Sequence, residues 1–389
     1  MKKDNKPAPL FTITKIPLLL LIIVSTVFMN SCRKDNEKKA LKDFSQVNLV
    51  ANNDKYGAAH VDPVLLNAWG LAFSSGGTPW VNATDGHVSA IYTKEGAFVR
   101  PAVNIPSPGS ATGGSPTGIV FNAVATDFML SNGRSAAFIF VGEDGVLSAW
   151  NGPAGNNALL IHDNSASASY KGLTLAMNNG ANYLYAADFK GRKIQVWDKS
   201  FAPVAMMFKD NHLPDGYAPF NIKAIGNWLY VTYAKVGPDG DDEKGPGHGF
   251  VNIFNTDGSF VKRFAERGRL NSPWGLAMAP ASFFMDTAML NDGNKGKGND
   301  DNDAGITKGT IDENIILVGN FGDGRINAFR ENGEFLGPLR SHGRDIVIDG
   351  LWSLVFPPAT ATTIDPNRLY FTAGPADEAD GLFGYLIKQ

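Results

Sequence analysis

An all-β, six-bladed β-propeller is the fold this sequence predicts, and three observations predict it. First, a short apolar segment with a small residue in second place recurs six times. The copies run from Trp69 to Phe73, Thr117 to Phe121, Lys171 to Leu175, Phe220 to Ala224, Trp274 to Met278 and Trp352 to Phe356, with first residues 48, 54, 49, 54 and 78 apart. A period near 50 with several short strands per unit is the mark of a radial array. Second, each copy is followed by further strand-like runs separated by Gly, Asn and Asp turns. Third, the last unit stops after its third strand, while Phe44 to Val50 near the other end is a strand without a hairpin partner. Pairing the two closes the ring and removes the edges an open array would expose.

Within a unit the recurrent segment is strand A. Strand B is a β-rich run such as Pro79 to Asn82, Ala137 to Val141, Tyr183 to Ala186, Trp228 to Thr232, Ile315 to Val318 or Leu369 to Thr372. Strand C follows a polar turn, for example Val146 to Trp150, Phe250 to Phe254 or Leu382 to Leu386. Strand D opens on an aromatic in four units, at Phe98, Phe201, Phe260 and Phe335. The propeller is thus expected over residues 44–389, with a long insertion at about 284–312 in blade 5.

The N-terminus reads as an address. Lys2, Lys3, Lys6 and Lys15 precede an apolar run from Ile16 to Phe28, shorter than a comfortable membrane span and suited to a signal peptide over residues 1–31. Ser31-Cys32 resembles a bacterial lipobox, which makes Cys32, the single cysteine, the expected lipidation site. Residues 32–43 follow as a charged tether, and Lys34-Asp35-Asn36-Glu37 resembles the surface-export signal of Bacteroidetes lipoproteins. The expected location is the bacterial cell envelope, as an outer-membrane lipoprotein facing the periplasm or the outside, with the membrane as partner through Cys32. Net charge is −3 with no basic stripe, so nucleic acid is not an expected partner. The 43 Gly and 22 Pro belong to turns, because apolar periodicity persists along the chain.

Strand alternation sorts the loops. Starts of A strands and B–C turns share one face, the mouth of the central channel. A–B and C–D turns share the other. Asn67, Trp69, Ser115, Thr117, Asn221, Ser272, Trp274, Asp349 and Trp352 reach the mouth from A strands, and Asp85, Asp144, Asp188, Asn320, Asp323 and Asp377 from B–C turns. Such oxygen-rich convergence suits Ca²⁺, with Asp188, Asn320 and Asp323 as candidate ligands. The alternative is ordinary turn chemistry, because Asp and Asn favour turns. Trp69, Trp274, Trp352 and Asn221 are the candidate ligand-binding residues, with ring packing between blades as the alternative for the tryptophans. The blade 4 B–C loop, Lys235 to Gly249, is long and acidic and carries His248, and His212 is expected on the same face. The two form a candidate general acid/base pair. The insertion Asn291 to Gly305 lacks EF-hand spacing, since Ala304 and Thr310 fall where Gly and Glu are needed.

Several longer motifs are more specific than the repeat itself: Asn67-Ala68-Trp69-Gly70-Leu71-Ala72, Gly247-His248-Gly249-Phe250, Ser272-Pro273-Trp274-Gly275, Val318 to Phe329 and Ile348 to Leu354. Together they resemble an uncharacterised family of bacterial secreted propellers, related in architecture to NHL-repeat proteins. More distant six-bladed architectures include gluconolactonase-like enzymes, paraoxonases and lyases, whose metal-ligand sets have no residue-by-residue match here. Phosphate-binding loops, Gly-x-Ser-x-Gly elbows and zinc spacings are absent from the sequence. Two functions follow as expectations: a module binding a protein, glycan or small ligand at the mouth, or a Ca²⁺-assisted lactonase- or esterase-like hydrolase or lyase.

Overall fold

The computed structural model describes Met1 and residues 38–285, 311 and 313–389. Cys32, the signal segment and most of the blade 5 insertion lie outside the described residues. Six four-stranded antiparallel sheets stand in a ring. Strands A of the successive blades are Ala68–Phe73, Pro116–Phe121, Tyr170–Asn178, Tyr217–Ile225, Pro273–Ala279 and Leu351–Val355. Each A strand pairs with its own B strand and packs beside the A strand of the next blade, including blade 6 beside blade 1.

Phe44–Ala51 closes the ring as strand D of blade 6, antiparallel to Leu382–Lys388, with Phe44 opposite Lys388 and Ala51 opposite Leu382. Phe44 is fully buried and packs against Phe283 and Phe284 of blade 5. The packed chain begins before this strand: Ala40 and Leu41 are buried in the same cluster, and the Lys388 ammonium donates to the carbonyls of Ala40 and Lys42. His60–Val61 adds a short parallel strand outside Val50 and Ala51.

Two outer strands differ from expectation. In blade 1, Phe98 makes only an isolated bridge to Tyr92, and strand D is Val103–Asn104. Pro101 lies between them and has no N–H to continue a ladder. In blade 3, Phe201 takes a left-handed turn (φ 64°) and pairing starts at Pro203.

The small residue in second place has a steric cause. At Gly70 a Cβ would stand 2.1 Å from the Thr117 carbonyl oxygen of the next blade, and at Gly172 it would stand 2.0 Å from Asn221 Oδ1. Inner strands near the axis approach too closely for a side chain there. Where the position is not glycine, its side chain is a tie. Asn221 Nδ2 donates to the Trp274 carbonyl (2.7 Å), and Ser353 Oγ donates to the Trp69 carbonyl (2.7 Å). Gly70→Ala is therefore expected to lower stability by about 3 kcal/mol in urea denaturation, since the opposing atom is backbone. Gly152→Ala, at a site with nothing within 4 Å, is expected to stay within about 0.5 kcal/mol.

Candidate functional site at the channel mouth

The same segment builds the site. In all six blades the A–B register slips where strand A begins. The slips fall between Ala68 and Leu71, Pro116 and Ile119, Tyr170 and Gly172, Pro219 and Asn221, Pro273 and Gly275, and Leu351 and Leu354. A bulge leaves a residue unpaired and re-aims its side chain. The residues so freed include the first members of the repeats: Trp69, Thr117, Lys171, Phe220, Trp274 and Trp352.

Five of the six gather with B–C residues at the mouth. Trp69 stacks on Trp352 (3.6 Å between ring centroids), and Phe321 stacks on the same indole (3.8 Å). Trp274 meets both tryptophans edge-on, at 6.3 and 5.9 Å. Phe220 and Phe189 extend the layer. Trp69, Trp274 and Trp352 are 1 %, 5 % and 1 % exposed, so none offers a free face for stacking. They plug the channel. Trp352 Nε1 donates to Asn67 Oδ1 (3.0 Å), whereas the indole N–H groups of Trp69 and Trp274 are buried without a partner.

Charged groups from four blades meet over this layer. Lys171 of blade 3 lies 5.2 Å from the Trp69 ring centroid. It pairs with Glu143, from the blade 2 B–C turn, and with Asp241, from the blade 4 loop (3.0 Å). Burial alone would draw its ammonium down, but these two carboxylates hold it well above the ordinary lysine range. Glu378 enters from blade 6 and accepts from Asn67 Nδ2 (2.7 Å). Burial, reinforced by the nearby Glu143 and Asp241 charges, pushes its carboxyl up to about 7, against the pull of Asn67 and Lys171. Asp242 is pushed up to about 6, first by burial and then by Asp241. Lys244 lies over Phe321 (4.4 Å) and 3.9 Å from Asp377.

Backbone strain presents Glu378. Ala376, Asp377 and Glu378 are consecutive left-handed residues (φ 59°, 50° and 69°). That conformation costs L-residues about 1–2 kcal/mol each. The turn is held by Asp349 Oδ2 accepting from Ala376 N (3.0 Å) and by Glu378 N donating to Gly374 O (3.1 Å).

The residues selected from sequence are placed as follows. His248 turns back on its own loop, with Nδ1 2.9 Å from the Glu243 carbonyl oxygen. His212 has a side chain 92 % exposed beside Asp210, which is itself paired with Arg263. No contact joins the two histidines among the described residues. Asp188 accepts from Gly191 N (2.8 Å) in its own turn and from Ser169 N (3.2 Å) just ahead of strand A of the same blade. Asn320 and Asp323 do meet (3.0 Å), but Arg325 occupies the Asp323 carboxylate. Among the described residues no group of three or more His, Cys, Asp or Glu gathers to hold a metal. Asn221 is the tie between blades 4 and 5. Sequence reasoning passed over Glu143, Lys171, Asp241, Asp242 and Glu378 as site residues. A charged residue in first place of the third repeat was the available signal for Lys171. For Glu378 there was none beyond its place next to Asp377.

No protein-family model matches the chain. The uncharacterised protein L690 of Acanthamoeba polyphaga mimivirus is 34 % identical over 361 residues, covering 88 % of this chain and 86 % of that one. The uncharacterised protein R648 of the same virus is 32 % identical, covering 88 % and 80 %. Among solved structures, an α-L-arabinofuranosidase of Fusarium graminearum aligns with a TM-score of 0.52 at 12 % identity, covering 89 % of this chain and 98 % of that one. A gluconolactonase from Xanthomonas campestris aligns with a TM-score of 0.46 at 14 % identity, covering 83 % and 86 %. At such identities the likeness is one of fold.

Glu378 titrates at about 7 in the folded chain against an ordinary 4.5. The stability this raised value confers is complete below about pH 4.5 and is lost as pH rises through about 7. Glu378→Gln removes that dependence. The variant is expected to match the wild type near pH 4.5 and to exceed it by about 2 kcal/mol near pH 8 in urea titrations.

Proposed function

The chain belongs to the family of the mimivirus proteins L690 and R648, and from that premise and the geometry of the mouth we propose that it is a ligand-binding propeller for a small, neutral, polar molecule. One observation carries the reading: Glu143, Lys171, Asp241 and Glu378, from four blades, interact over the aromatic plug. Lys171 engages both Glu143 and Asp241, so the group left to meet a ligand near pH 6 is the protonated Glu378 carboxyl, which suits a neutral molecule with hydroxyl or carbonyl oxygens. Near pH 6 Glu378 keeps its proton and donates to such an oxygen, while Lys244 supplies a second donor at the rim.

A second reading rests on the two raised carboxyls. Asp242 at about 6 and Glu378 at about 7 lie where general acids and bases work near neutrality. Hydrolase or lyase chemistry on a lactone, ester or glycoside would then use these carboxyls to move protons. The arabinofuranosidase shares the architecture, and fold alone assigns no chemistry. We also propose attachment to a cell envelope through lipidated Cys32, supported by the basic start, the apolar run and the Ser31-Cys32 pair.

A thermal-shift panel of neutral mono- and disaccharides and hydroxylated lactones separates these readings. Binding predicts that at least one compound stabilises the protein at pH 6, less so at pH 8, with the effect lost in Glu378→Gln. Mass spectrometry of the same mixtures shows the compound unchanged if the protein only binds, and converted if it is an enzyme. A panel with no stabilising compound, or stabilisation unaffected by Glu378→Gln, overturns the mouth as the site. For the anchor, Cys32→Ser is expected to move the protein from the membrane to the soluble fraction in a bacterial host. Unchanged fractionation argues against lipidation.

A further inference from the structure

Lys223 lies away from the mouth and takes no part in the reading above. It occupies fourth place in the blade 4 repeat, where the other blades carry Ala72, Val120, Thr174, Ala277 and Val355. It is the one charged residue among the six. Toward the far end of the channel the inner strands open into a funnel of about 310 Å³. Most side chains of its wall are apolar, with Leu71, Phe73, Phe121, Leu175 and Phe356 beside Lys223. A smaller, partly open space of about 20 Å³, room for about one water, shares Leu71, Ile119 and Val355 with it and is also lined by Lys223.

No residue lining either space with Lys223 is charged. Burial alone acts on its ammonium and draws it below the ordinary lysine range, with no carboxylate near enough to oppose the fall. Thr174 also lines the funnel and brings a hydroxyl to its wall. Its Oγ1 accepts from Ala224 N (3.0 Å), which leaves its own proton for an acceptor in the funnel. An unpaired ammonium in an apolar setting is costly unless something neutralises it.

We propose that the far end of the channel is a second binding site, for a small monocarboxylate with an apolar tail. Its carboxylate pairs with Lys223 and accepts from the Thr174 hydroxyl, and its tail lies against the leucine and phenylalanine wall. One ammonium matches one negative charge, whereas a dianion would leave charge uncompensated in an apolar space. The volume falls at the lower end of small-molecule pockets, about 300–1,000 Å³.

Calorimetric titration of the full chain with octanoate tests this, with octylammonium as the charge-reversed probe. Octanoate is expected to bind saturably at one site and at least about tenfold more tightly than octylammonium. Lys223→Met is expected to weaken octanoate at least about tenfold, and Lys223→Arg by about threefold or less. Thermal unfolding of Lys223→Met, at or above the wild-type temperature, shows that the loss is not one of folding. No saturable octanoate binding at millimolar concentration, equal binding of the two probes, or undiminished binding by Lys223→Met each overturns the proposal. If Lys223→Met does not fold, the wild-type comparison of the two probes decides alone.

Discussion

Everything in this molecule depends on how closely six inner strands approach one axis. A side chain beyond hydrogen fits at second place only if it becomes a bond to the next blade, as Asn221 and Ser353 do. The bulge beside that position is the counterpart of the crowding. By releasing a residue from the ladder, it gives five of the six blades a side chain at the mouth without disturbing the pairing below. Structural constraint and site construction are thus one feature read at adjacent residues. The sequence differences on which the proposed sites rest lie in first place, where Lys171 stands among four aromatics and Thr117, and in fourth place, where Lys223 stands among small and aliphatic residues.

Much of the architecture was legible because blades repeat. Six copies of one pattern average out the ambiguity of any single strand, and the missing fourth strand at the C-terminus left only Phe44 to Val50 to fill the gap. Outer strands were less legible. They pair on one side only, so a proline such as Pro101 or a left-handed residue such as Phe201 shifts where pairing begins.

The candidate site was legible as a face and not as a set of residues. Topology sent the starts of A strands and the B–C loops to the mouth. Residue type then favoured histidine, tryptophan and Asp before Gly, and these proved to be occupied: His248 with its own loop, the tryptophans with one another, Asp323 with Arg325. What distinguishes Glu378 is burial beside other carboxylates on a strained turn, which no local pattern announces. A carboxyl or an ammonium held off its ordinary titration range is a property of the assembled ring.

The direction of the closing strand carries a geometric meaning of its own. Phe44 pairs at the end of strand C remote from the mouth, so the chain enters the ring from the face where the Lys223 funnel opens. Before that strand the chain folds back on blade 5, where the Leu41 carbonyl accepts from Arg340 N (2.8 Å) and Leu41 packs in one cluster with Leu339. The seam of the ring is thus clasped twice, once by pairing within blade 6 and once by the residues that precede the strand gripping its neighbour. A load on the chain ahead of Phe44 is shared by both blades before it reaches the pairing that closes the circle.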